Sequence, residues 1–481
     1  MAPSTDFAKG YARSVVRDLG TRLFAGDRAT LRSRPARLRV GAPIVGNLFA
    51  MARDRLWLMQ QASAVRGGIC EMAMGGGRIV VVSEPDLVHE VLVEKADSFV
   101  KGTSFRFLRP ILGDGLLTSE HDVHRRQRKL MAPAFAYRRI AAYADTMAAY
   151  AERAQSRWAG GSAIDLADAM MRLTLEIASK TLLDADVDEH ASAVGAAVSL
   201  LMHRVNARMS TPLSFLLAPA SRDAGVRGAI TTLDDVILRI IRERRATRAD
   251  TGDLLSMLLA AQEEGTGEGM SDRQVRDEVM TIFLAGHETT ANALSWAFYL
   301  LARHPEAYAR LRHEATTVLG GRAPRAEDLP KLSFALQVFK ETLRLYPPAY
   351  LTSRLSVQEV EIGGYRIPAG IDVVANICSM QRRPEYFSDP ERFVPERFEP
   401  AAEKSLPRGA YLPFGSGARV CIGNNFALME GQIVLATLAQ RVSFSLTRAE
   451  PIAPEPLITL RPRGGVPAVV HRLAPSVAAA E

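Results

Sequence analysis

A loop near the end of the chain carries the residue types that a metal ligand needs. Around Cys421 it contains Phe414, Gly415, Gly417, Arg419 and Gly423, and a helix-like run over 424 to 440 follows directly. Amide N–H groups and the positive end of a helix lower a thiol pKa, and the resulting thiolate is a strong axial donor to haem iron. Glycines let a flat macrocycle approach the backbone, and Arg419 supplies a cation for a carboxylate. The alternative, a cysteine that only fills space in a core, suits this loop poorly.

A second group of chemically capable residues lies in the middle of a long predicted helix. The helix opens with the capping pattern Ser271-x-x-Gln274, and its centre reads Ala285-Gly286-His287-Glu288-Thr289-Thr290. Glycine costs a helix about 1 kcal/mol relative to alanine, so its presence here indicates function. Gly286 would leave room for a diatomic ligand, while Glu288 and Thr289 could relay protons through water. Ordinary helix packing is the alternative for the threonines. His287 is rotated about 100° from each neighbour, so it is interpreted as a pocket-lining or structural histidine and not as an iron ligand.

A third pattern combines an acid with arginines. Glu341 and Arg344 are three residues apart, which places them on one helix face where they can pair. The segment Pro395-Glu396-Arg397-Phe398 follows further along the chain. Such pairs usually lie on the surface and contribute little to stability.

The spacing around the cysteine, F-x-x-G-x-R-x-C-x-G, resembles the cysteine loop of the haem-thiolate monooxygenases, the cytochrome P450 family, and every fixed position is present. Glu288 and Thr289 match the family's acid-alcohol pair. The segments at 341–344 and 395–398 resemble its E-x-x-R helix and P-E-R-F segment. The resemblance runs from Gly41 to Arg472, and it is greatest to soluble bacterial enzymes that oxidise terpenes in secondary metabolism.

The resemblance also implies roles for individual residues. The iron ligand would be Cys421, and the haem would lie against Phe414, Gly415, Gly423, Ala285 and Gly286. The catalytic residues would be Glu288 and Thr289, and the haem propionates would be bound by Arg419, His124, Arg128 and Arg354. A buried structural cluster would consist of Glu341, Arg344 and Arg397. The substrate pocket would be lined by Phe105, Phe107, Leu116, Ile282, Phe283, Ala349, Leu351, Leu457 and Ile458.

The implied reaction inserts one oxygen atom of O2 into a hydrophobic organic substrate, by hydroxylation or epoxidation at haem b. A terpenoid is favoured over a polyketide or fatty acid. Because no flavin or nicotinamide motif follows the haem loop, electrons from NAD(P)H would arrive through a ferredoxin and its reductase, docked on Arg125, Arg126 and Lys129. The alternatives are a peroxide-driven peroxygenase, a haem isomerase, or a non-enzymatic haem sensor. Relatives of the first two kinds commonly lack the acid-alcohol pair.

Composition places limits on compartment and partners. The chain has 481 residues, 47% of them hydrophobic and 23% charged, which is enough for a large core. Three scattered cysteines, Cys70, Cys378 and Cys421, predict a reducing cytoplasm and argue against a zinc site. No apolar run reaches membrane-spanning length. The net charge of +7 is spread without interleaved aromatics, so nucleic acid is not expected as a partner, and we expect a monomer.

Hydrophobic periodicity predicts the elements that would position these residues. Helices are predicted at 140–156, 163–183, 223–247, 271–303 and 424–441, with short strands at 79–83 and 373–377. The chain is therefore mainly α with small β-sheets, an α+β class, and the resemblance places haem between the helix at 271–303 and the helix after Cys421. We expect a basic N-terminal extension over 1–40, a single domain over 41–475 and a disordered tail over 476–481. Spaced apolar residues between Tyr11 and Phe24 would allow peripheral membrane contact, or packing on the protein itself.

Overall fold

The computed structural model describes residues 34–41, 45–184, 196–198, 200–201, 204–205, 207, 223–247, 251–262, 267 and 269–474. Residues 34–40 are the described part of the predicted extension. The predicted amphipathic segment and the tail over 476–481 lie outside the described residues.

Helices account for most of the ordered secondary structure. They are, in chain order, α1 (Leu48–Arg53), α2 (Arg55–Ser63), α3 (Pro85–His89), α4 (Arg109–Leu112), α5 (His121–Met131), α6 (Tyr137–Ala141), α7 (Ala144–Ser156), α8 (Leu166–Leu183), α9 (Ala224–Thr247), α10 (Leu254–Ala260), α11 (Asp272–Arg303), α12 (Pro305–Leu319), α13 (Ser333–Leu345), α14 (Ile377–Met380), α15 (Pro400–Ser405) and α16 (Asn424–Ala439).

The strands are short. They are β1 (Ala36–Arg37), β2 (Ile69–Met74), β3 (Gly77–Val82), β4 (Phe99–Lys101), β5 (Ala163–Asp165), β6 (Thr352–Ser356), β7 (Val360–Ile362), β8 (Tyr365–Ile367), β9 (Asp372–Ala375), β10 (Val442–Leu446), β11 (Pro454–Pro456), β12 (Leu460–Pro462) and β13 (Pro467–Arg472). The largest sheet has the order β1-β2-β3-β9-β6-β4, a second has the order β10-β13-β5, and two hairpins pair β11 with β12 and β7 with β8.

The long helix α11 runs through the centre of the main core. It opens with the predicted capping box, in which the Ser271 hydroxyl accepts from the Gln274 N–H and the Gln274 side chain accepts from the Ser271 N–H. Trp296 near its far end is completely buried and stacks on Tyr346, with ring centroids 3.9 Å apart. The core around it is built from α7, α8, α9, α13 and α16, so α11 is held from nearly every side.

Two predicted helices have different bounds in the structure. The predicted helix over 140–156 is wrong as one element, because the chain breaks at Ala142 and Tyr143 between α6 and α7. The Tyr143 ring packs against Phe426, and its hydroxyl donates to the carbonyl of Gly252. The predicted helix over 163–183 begins later, because residues 163–165 pair with β13 and Asp165 caps α8. In both cases tertiary pairing prevails over local periodicity.

Candidate functional site

The cysteine loop is shaped by glycines in the left-handed region. Gly415 and Gly417 have φ values of +71° and +74°. A Cβ at Gly417 would lie 2.2 Å from the Leu92 carbonyl oxygen, so no larger residue fits without a backbone shift. The Cys421 N–H donates to the Phe414 carbonyl at 2.9 Å, which closes the loop. The backbone thus delivers Cys421 three residues before the start of α16.

The Cys421 thiol is closely surrounded by protein, yet the side chain keeps exposed surface. Burial raises the pKa of this thiol, while a hydrogen bond from the Gly423 backbone and the charge of Arg128 act in the opposite direction. The expectation that the helix end would lower the net pKa is therefore wrong, since desolvation outweighs it. A bound metal ion, which requires the thiolate, would supply the missing stabilisation.

The middle of α11 borders open space on one face only. Ala285 is exposed, and Gly286 and Thr289 are half-buried, although the flanking residues are buried. A Cβ at Gly286 would meet no atom within 4 Å, which agrees with the prediction that this position leaves room for a ligand. Thr289 Oγ1 donates to the Ala285 carbonyl at 2.7 Å, and Thr290 Oγ1 donates to the Gly286 carbonyl at 3.1 Å.

Glu288 points away from this open face and is buried. Its Oε1 atom accepts hydrogen bonds from Thr459 Oγ1 at 2.6 Å and from Arg461 Nη2 at 2.6 Å. The Arg461 side chain is partly exposed, so this ion pair connects α11 to solvent through β12. Sequence reasoning missed Thr459 and Arg461, because they lie more than 170 residues further along the chain.

His287 occupies the opposite side of α11. Its Nδ1 lies 2.9 Å from the Phe283 carbonyl oxygen, and burial lowers its pKa. The Thr174 hydroxyl of α8 donates to the His287 carbonyl at 3.0 Å. These contacts agree with a structural role for His287. They also place Phe283, a predicted pocket residue, in the core beside the His287 ring, so we correct that assignment.

A cluster of cations lies beside the cysteine loop. Lys101 of β4 stands directly opposite Arg354 of β6, although like charges in opposed positions destabilise a sheet. Burial, together with Arg354 and Arg419, holds the pKa of Lys101 well below its ordinary value. Burial and Arg419 lower the pKa of Arg354 to about 10. Such crowding favours an anionic ligand.

One carboxylate lies within this cation cluster. Glu120 Oε1 accepts from the Lys101 N–H at 2.7 Å, and Glu120 also pairs with Arg419. Arg419 further donates to the Ser119 carbonyl at 3.0 Å. Lys101 and Glu120 were not predicted, because a single lysine and a single glutamate carry no recognisable spacing.

Helix α5 contributes the two remaining residues that are predicted to bind the propionates. His124 is buried, and its pKa is lowered to about 4 by burial and by the charges of Arg419, Lys101, Arg128 and Arg354. It is therefore neutral at ordinary pH and able to donate one ring N–H. Arg128 Nη1 donates to the Val420 carbonyl at 2.8 Å, which ties α5 to the residue before Cys421. The structure thus brings the four predicted propionate residues together.

The predicted acid and arginine cluster is present and buried. Arg344 donates to both oxygens of Glu341, at 2.7 and 2.8 Å, and neither side chain is exposed. Glu341 Oε1 also lies 3.4 Å from Arg397 Nε and accepts from the Val394 N–H at 3.0 Å. Arg344 donates further to the carbonyls of Gln381, Pro390 and Arg392. This cluster joins α13 to the chain that leads into the cysteine loop.

The other predicted pocket residues come from separate parts of the fold. Ala349 is exposed, and both of its neighbours in the chain are buried. Ile282 is buried one turn before Ala285 and Gly286. Several partly buried residues border the main core: Phe105, Phe107 and Ile458. Leu116 is buried, and Leu457 lies in the β11–β12 turn, where its carbonyl accepts from Tyr350. Leu351 packs instead on two smaller clusters.

These residues fit a haem. The thiol of Cys421 keeps exposed surface, a glycine leaves room on one face of α11, and cations outnumber carboxylates beside the thiol. The donor set matches an iron porphyrin with two propionates: a soft thiolate for the metal and an excess of arginine, lysine and imidazole for the carboxylates. Cys421 would hold the iron, and Arg419, Arg354, Lys101, His124 and Arg128 would hold the propionates.

Comparison with known proteins agrees with this geometry. The family model described as Cytochrome P450 matches residues 36–467, and the chain belongs to this family. It is 38% identical to cyclooctatin synthase of Streptomyces melanosporofaciens over 87% of this chain and 92% of that protein. It is 34% identical to pentalenene oxygenase of Streptomyces avermitilis over 87% of this chain and 93% of that protein. The crystal structure of the cytochrome P450DA heme domain superposes with a TM-score of 0.84 at 27% identity, covering 92% of this chain and 99% of that chain.

Family membership establishes the class of chemistry. The protein is an oxidoreductase that incorporates oxygen from O2, its cofactor is haem with a cysteine thiolate, and redox partners supply electrons from NAD(P)H. Its substrate is a hydrophobic small molecule. Among the described helices, none is long and apolar enough to cross a membrane.

Proposed function

We propose that this enzyme hydroxylates or epoxidises a terpenoid, with electrons delivered by a ferredoxin and its reductase. The proposal rests chiefly on one arrangement, in which the Cys421 thiol and the open face of α11 are combined with apolar walls. Two relatives whose names denote terpene oxygenation, cyclooctatin synthase and pentalenene oxygenase, support the substrate class. Haem, when bound, supplies the activation of dioxygen.

Apolar walls favour a neutral, hydrophobic substrate. The side chains assigned to the pocket are aliphatic or aromatic, and they are Leu116, Ile282, Ala349, Leu457, Ile458, Phe105 and Phe107. None of them can pair with a substrate carboxylate. A compact hydrocarbon skeleton would therefore be held by shape and by burial of apolar area.

Thr289 and Glu288 would deliver protons in this reaction. Thr289 Oγ1 lies at the open face of α11 and now donates to the Ala285 carbonyl, so a small rotation would direct its proton into the open space. Glu288 pairs with Arg461, whose side chain is partly exposed. We infer that Glu288 collects protons from solvent along β12 and passes them to Thr289 through water.

The basic face of α5 would receive the redox partner. Arg125 is 81% exposed at its side chain, and Lys129 lies one turn further along the helix. Exposed apolar residues, Val123 and Tyr137, lie close by in the chain. The opposite face of α5 carries His124 and Arg128. An acidic ferredoxin bound to the basic face would therefore be separated from the predicted propionate contacts by this one helix.

The substrate proposal is tested by absorption titration of the haem-loaded enzyme with terpenes, macrocyclic polyketides and fatty acids. We expect a saturable shift of the haem band with terpenes, followed by oxygenated product when a surrogate ferredoxin system is added. A shift with another class alone would disprove the terpenoid assignment while leaving the monooxygenase chemistry in place.

The proton pathway is tested by Thr289→Ala and Glu288→Gln. The Thr289→Ala variant should oxidise NAD(P)H at a near-normal rate while product formation falls about tenfold or more. The reason is that the hydroxyl that would donate the proton at the open face of α11 is absent. Glu288→Gln should slow turnover with an increased solvent isotope effect. Full activity with peroxide and no dependence on Thr289 would instead indicate a peroxygenase.

The docking surface is tested by Arg125→Glu in comparison with Arg448→Glu, an exposed arginine on the turn after β10. The first variant should weaken ferredoxin affinity and flatten its dependence on salt, and the second should change neither. Equal behaviour of both variants would place the docking surface elsewhere.

A further inference from the structure

Three consecutive residues at the start of α11 bind the backbone of one segment, residues 111–118. Arg276 Nη1 donates to the Ile111 carbonyl at 3.0 Å. Asp277 Oδ2 accepts from the Asp114 N–H at 3.0 Å, and Glu278 Oε2 accepts from the Leu116 N–H at 2.8 Å. Asp277 is 5% exposed and Glu278 is completely buried, so these hydrogen bonds are shielded from water.

The segment lies directly on the helix. Gly113 has a φ of +59°, and a Cβ there would fall 2.2 Å from Asp277 Oδ2. A Cβ at Gly115 would fall 2.2 Å from Thr281 Oγ1 and 2.5 Å from the Asp277 carbonyl oxygen. Both contacts are far below ordinary separations, so neither glycine can be replaced without moving the segment away from α11.

Further hydrogen bonds fasten the same segment to other elements. Gln127 of α5 donates to the Asp114 carbonyl at 2.7 Å, and Thr118 donates to the Gly113 carbonyl at 2.8 Å. Arg276 also pairs with Asp234 of α9 at 2.5 Å. The segment is therefore tied directly to α11 and α5, and Arg276 in turn connects its anchor to α9.

The fastened segment adjoins the reaction space. Glu278 precedes Ile282 by one turn and Ala285 by two turns, so all three share one face of α11. Leu116, whose N–H is held by Glu278, is a proposed pocket residue. Four residues later the chain reaches Glu120, which pairs with Arg419 beside the cysteine loop.

We propose that Arg276, Asp277 and Glu278 are positioning residues that determine specificity by holding residues 111–118 as a rigid wall of the substrate pocket. This inference rests on the proposed pocket but not on the terpenoid assignment. A fixed wall restricts the orientations in which a substrate can approach Ala285 and Thr289. Displacement of such a wall by about 1 Å changes reactive geometry enough to alter rates up to a hundredfold.

The wall is tested with variants that remove or keep the acceptor. Glu278→Leu leaves the Leu116 N–H unpaired, whereas Glu278→Gln retains an acceptor oxygen at the same place. Gly115→Ala displaces the segment without removing any acceptor, which keeps the proposal testable where Glu278→Leu fails to bind haem. Asp272→Asn is the matched control, because Asp272 begins the same helix but pairs with Arg245 at the surface.

Two measurements on the haem-loaded enzyme separate a positioning role from a merely structural one. The first is hydrogen exchange of residues 111–118. The second is the ratio of dissociation constants for 1-phenylimidazole and 4-phenylimidazole, two haem-iron ligands that direct the phenyl ring differently. The difference in their basicity is the same for every variant and cancels when the ratios are compared. For Glu278→Leu and Gly115→Ala we expect faster exchange and a change of about tenfold in the ratio. Glu278→Gln and Asp272→Asn should resemble the parent enzyme.

Three results would overturn the proposal. Unchanged exchange in Glu278→Leu and Gly115→Ala would mean that other contacts hold the segment. Faster exchange with an unchanged isomer ratio would mean that the segment does not shape the pocket. An equal change in Asp272→Asn would mean that any change at the start of α11 has this effect. Failure of the enzyme to bind terpenes would leave both measurements interpretable.

Discussion

Buried carboxyl groups on two sides of the haem site are stabilised in opposite ways. On the cysteine side, Glu341 is surrounded by Arg344 and Arg397, and both of its oxygens accept hydrogen bonds. Around α11, Glu278 and Glu430 are equally buried, but in each the Oε1 atom has no partner among the described residues. Burial raises the pKa of each of these two groups to about 8. Charge pairing thus stabilises the buried acid near the cysteine loop, whereas Glu278 and Glu430 are stabilised as neutral groups; Glu288 of α11, which pairs with Arg461, follows the first pattern.

This difference has a physical reason. A paired buried charge fixes geometry strongly, because removal of one partner leaves the other uncompensated. A neutral carboxyl holds its partner by a hydrogen bond alone and avoids the cost of burying a charge. The Glu341 cluster therefore depends on charge balance, whereas Glu278 and Glu430 depend on keeping their protons.

The largest expected effect comes from breaking the charge-paired side. Glu341→Gln should lower the free energy of unfolding by about 3–5 kcal/mol, because Arg344 and Arg397 lose their counter-charge in a buried site. Urea unfolding measures the loss. Glu396→Gln is the control, since Glu396 pairs with Arg310 at the surface, and there the change should stay below about 1 kcal/mol. Similar losses in both variants would contradict the comparison.

The raised pKa of Glu430 predicts that the free energy of unfolding depends on pH. Burial raises the pKa of Glu430 to about 8 from an ordinary 4.5, so the folded protein keeps a proton that the unfolded chain releases above 4.5. The contribution of Glu430 to stability should therefore be fully present below about pH 4.5 and decline as the pH rises toward 8, by at most about 1.4 kcal/mol per pH unit. Glu430→Gln should flatten this decline in urea unfolding measured between pH 5 and 8. A parallel decline in the variant would show that Glu430 is not responsible.

Two glycines sharpen the contrast between the sides. Gly417→Ala forces a Cβ to within 2.2 Å of the Leu92 carbonyl oxygen, and the left-handed backbone alone adds about 1–2 kcal/mol of strain. Haem content and melting temperature should both fall. The Cβ that Gly286→Ala adds meets no atom within 4 Å. The melting temperature of this variant should therefore stay the same or rise, with a gain in the free energy of unfolding of up to about 1 kcal/mol. Loss of haem in Gly286→Ala but not in Gly417→Ala would contradict this expectation.

The smallest effect is expected at the start of α5, the helix that carries His124 and Arg128. His121, at the start of α5, has a φ of +48° and is exposed. His121→Gly should relieve this strain and stabilise the protein by up to about 1 kcal/mol. Val123→Gly, in the ordinary part of the same helix, should instead destabilise it by about 1 kcal/mol. Thermal unfolding of the two variants tests the prediction, and destabilisation by both would refute it.

Local patterns were the strongest guides to this protein. The cysteine loop, the capping box at Ser271 and the Glu341 to Arg344 spacing depend on neighbours in sequence, and each forms the arrangement expected of it. The helix over 140–156 was predicted less well, because contacts of Tyr143 with Phe426 and Gly252 break it. Phe283 was misassigned because family position does not report which face of α11 packs against α8.

The sequence by itself determined the family, the glycine-shaped loop around Cys421 and the capped start of α11, because those features need particular residues at fixed short spacings. The tertiary structure decided which distant groups complete the site. Arg461 and Thr459 reach Glu288, Lys101 faces Arg354 across two strands, and Glu278 holds Leu116. The direction of the Cys421 pKa was also decided there, since burial depends on the whole fold. Short-range spacing encodes chemistry, whereas desolvation and long-range pairing arise only when the chain has folded.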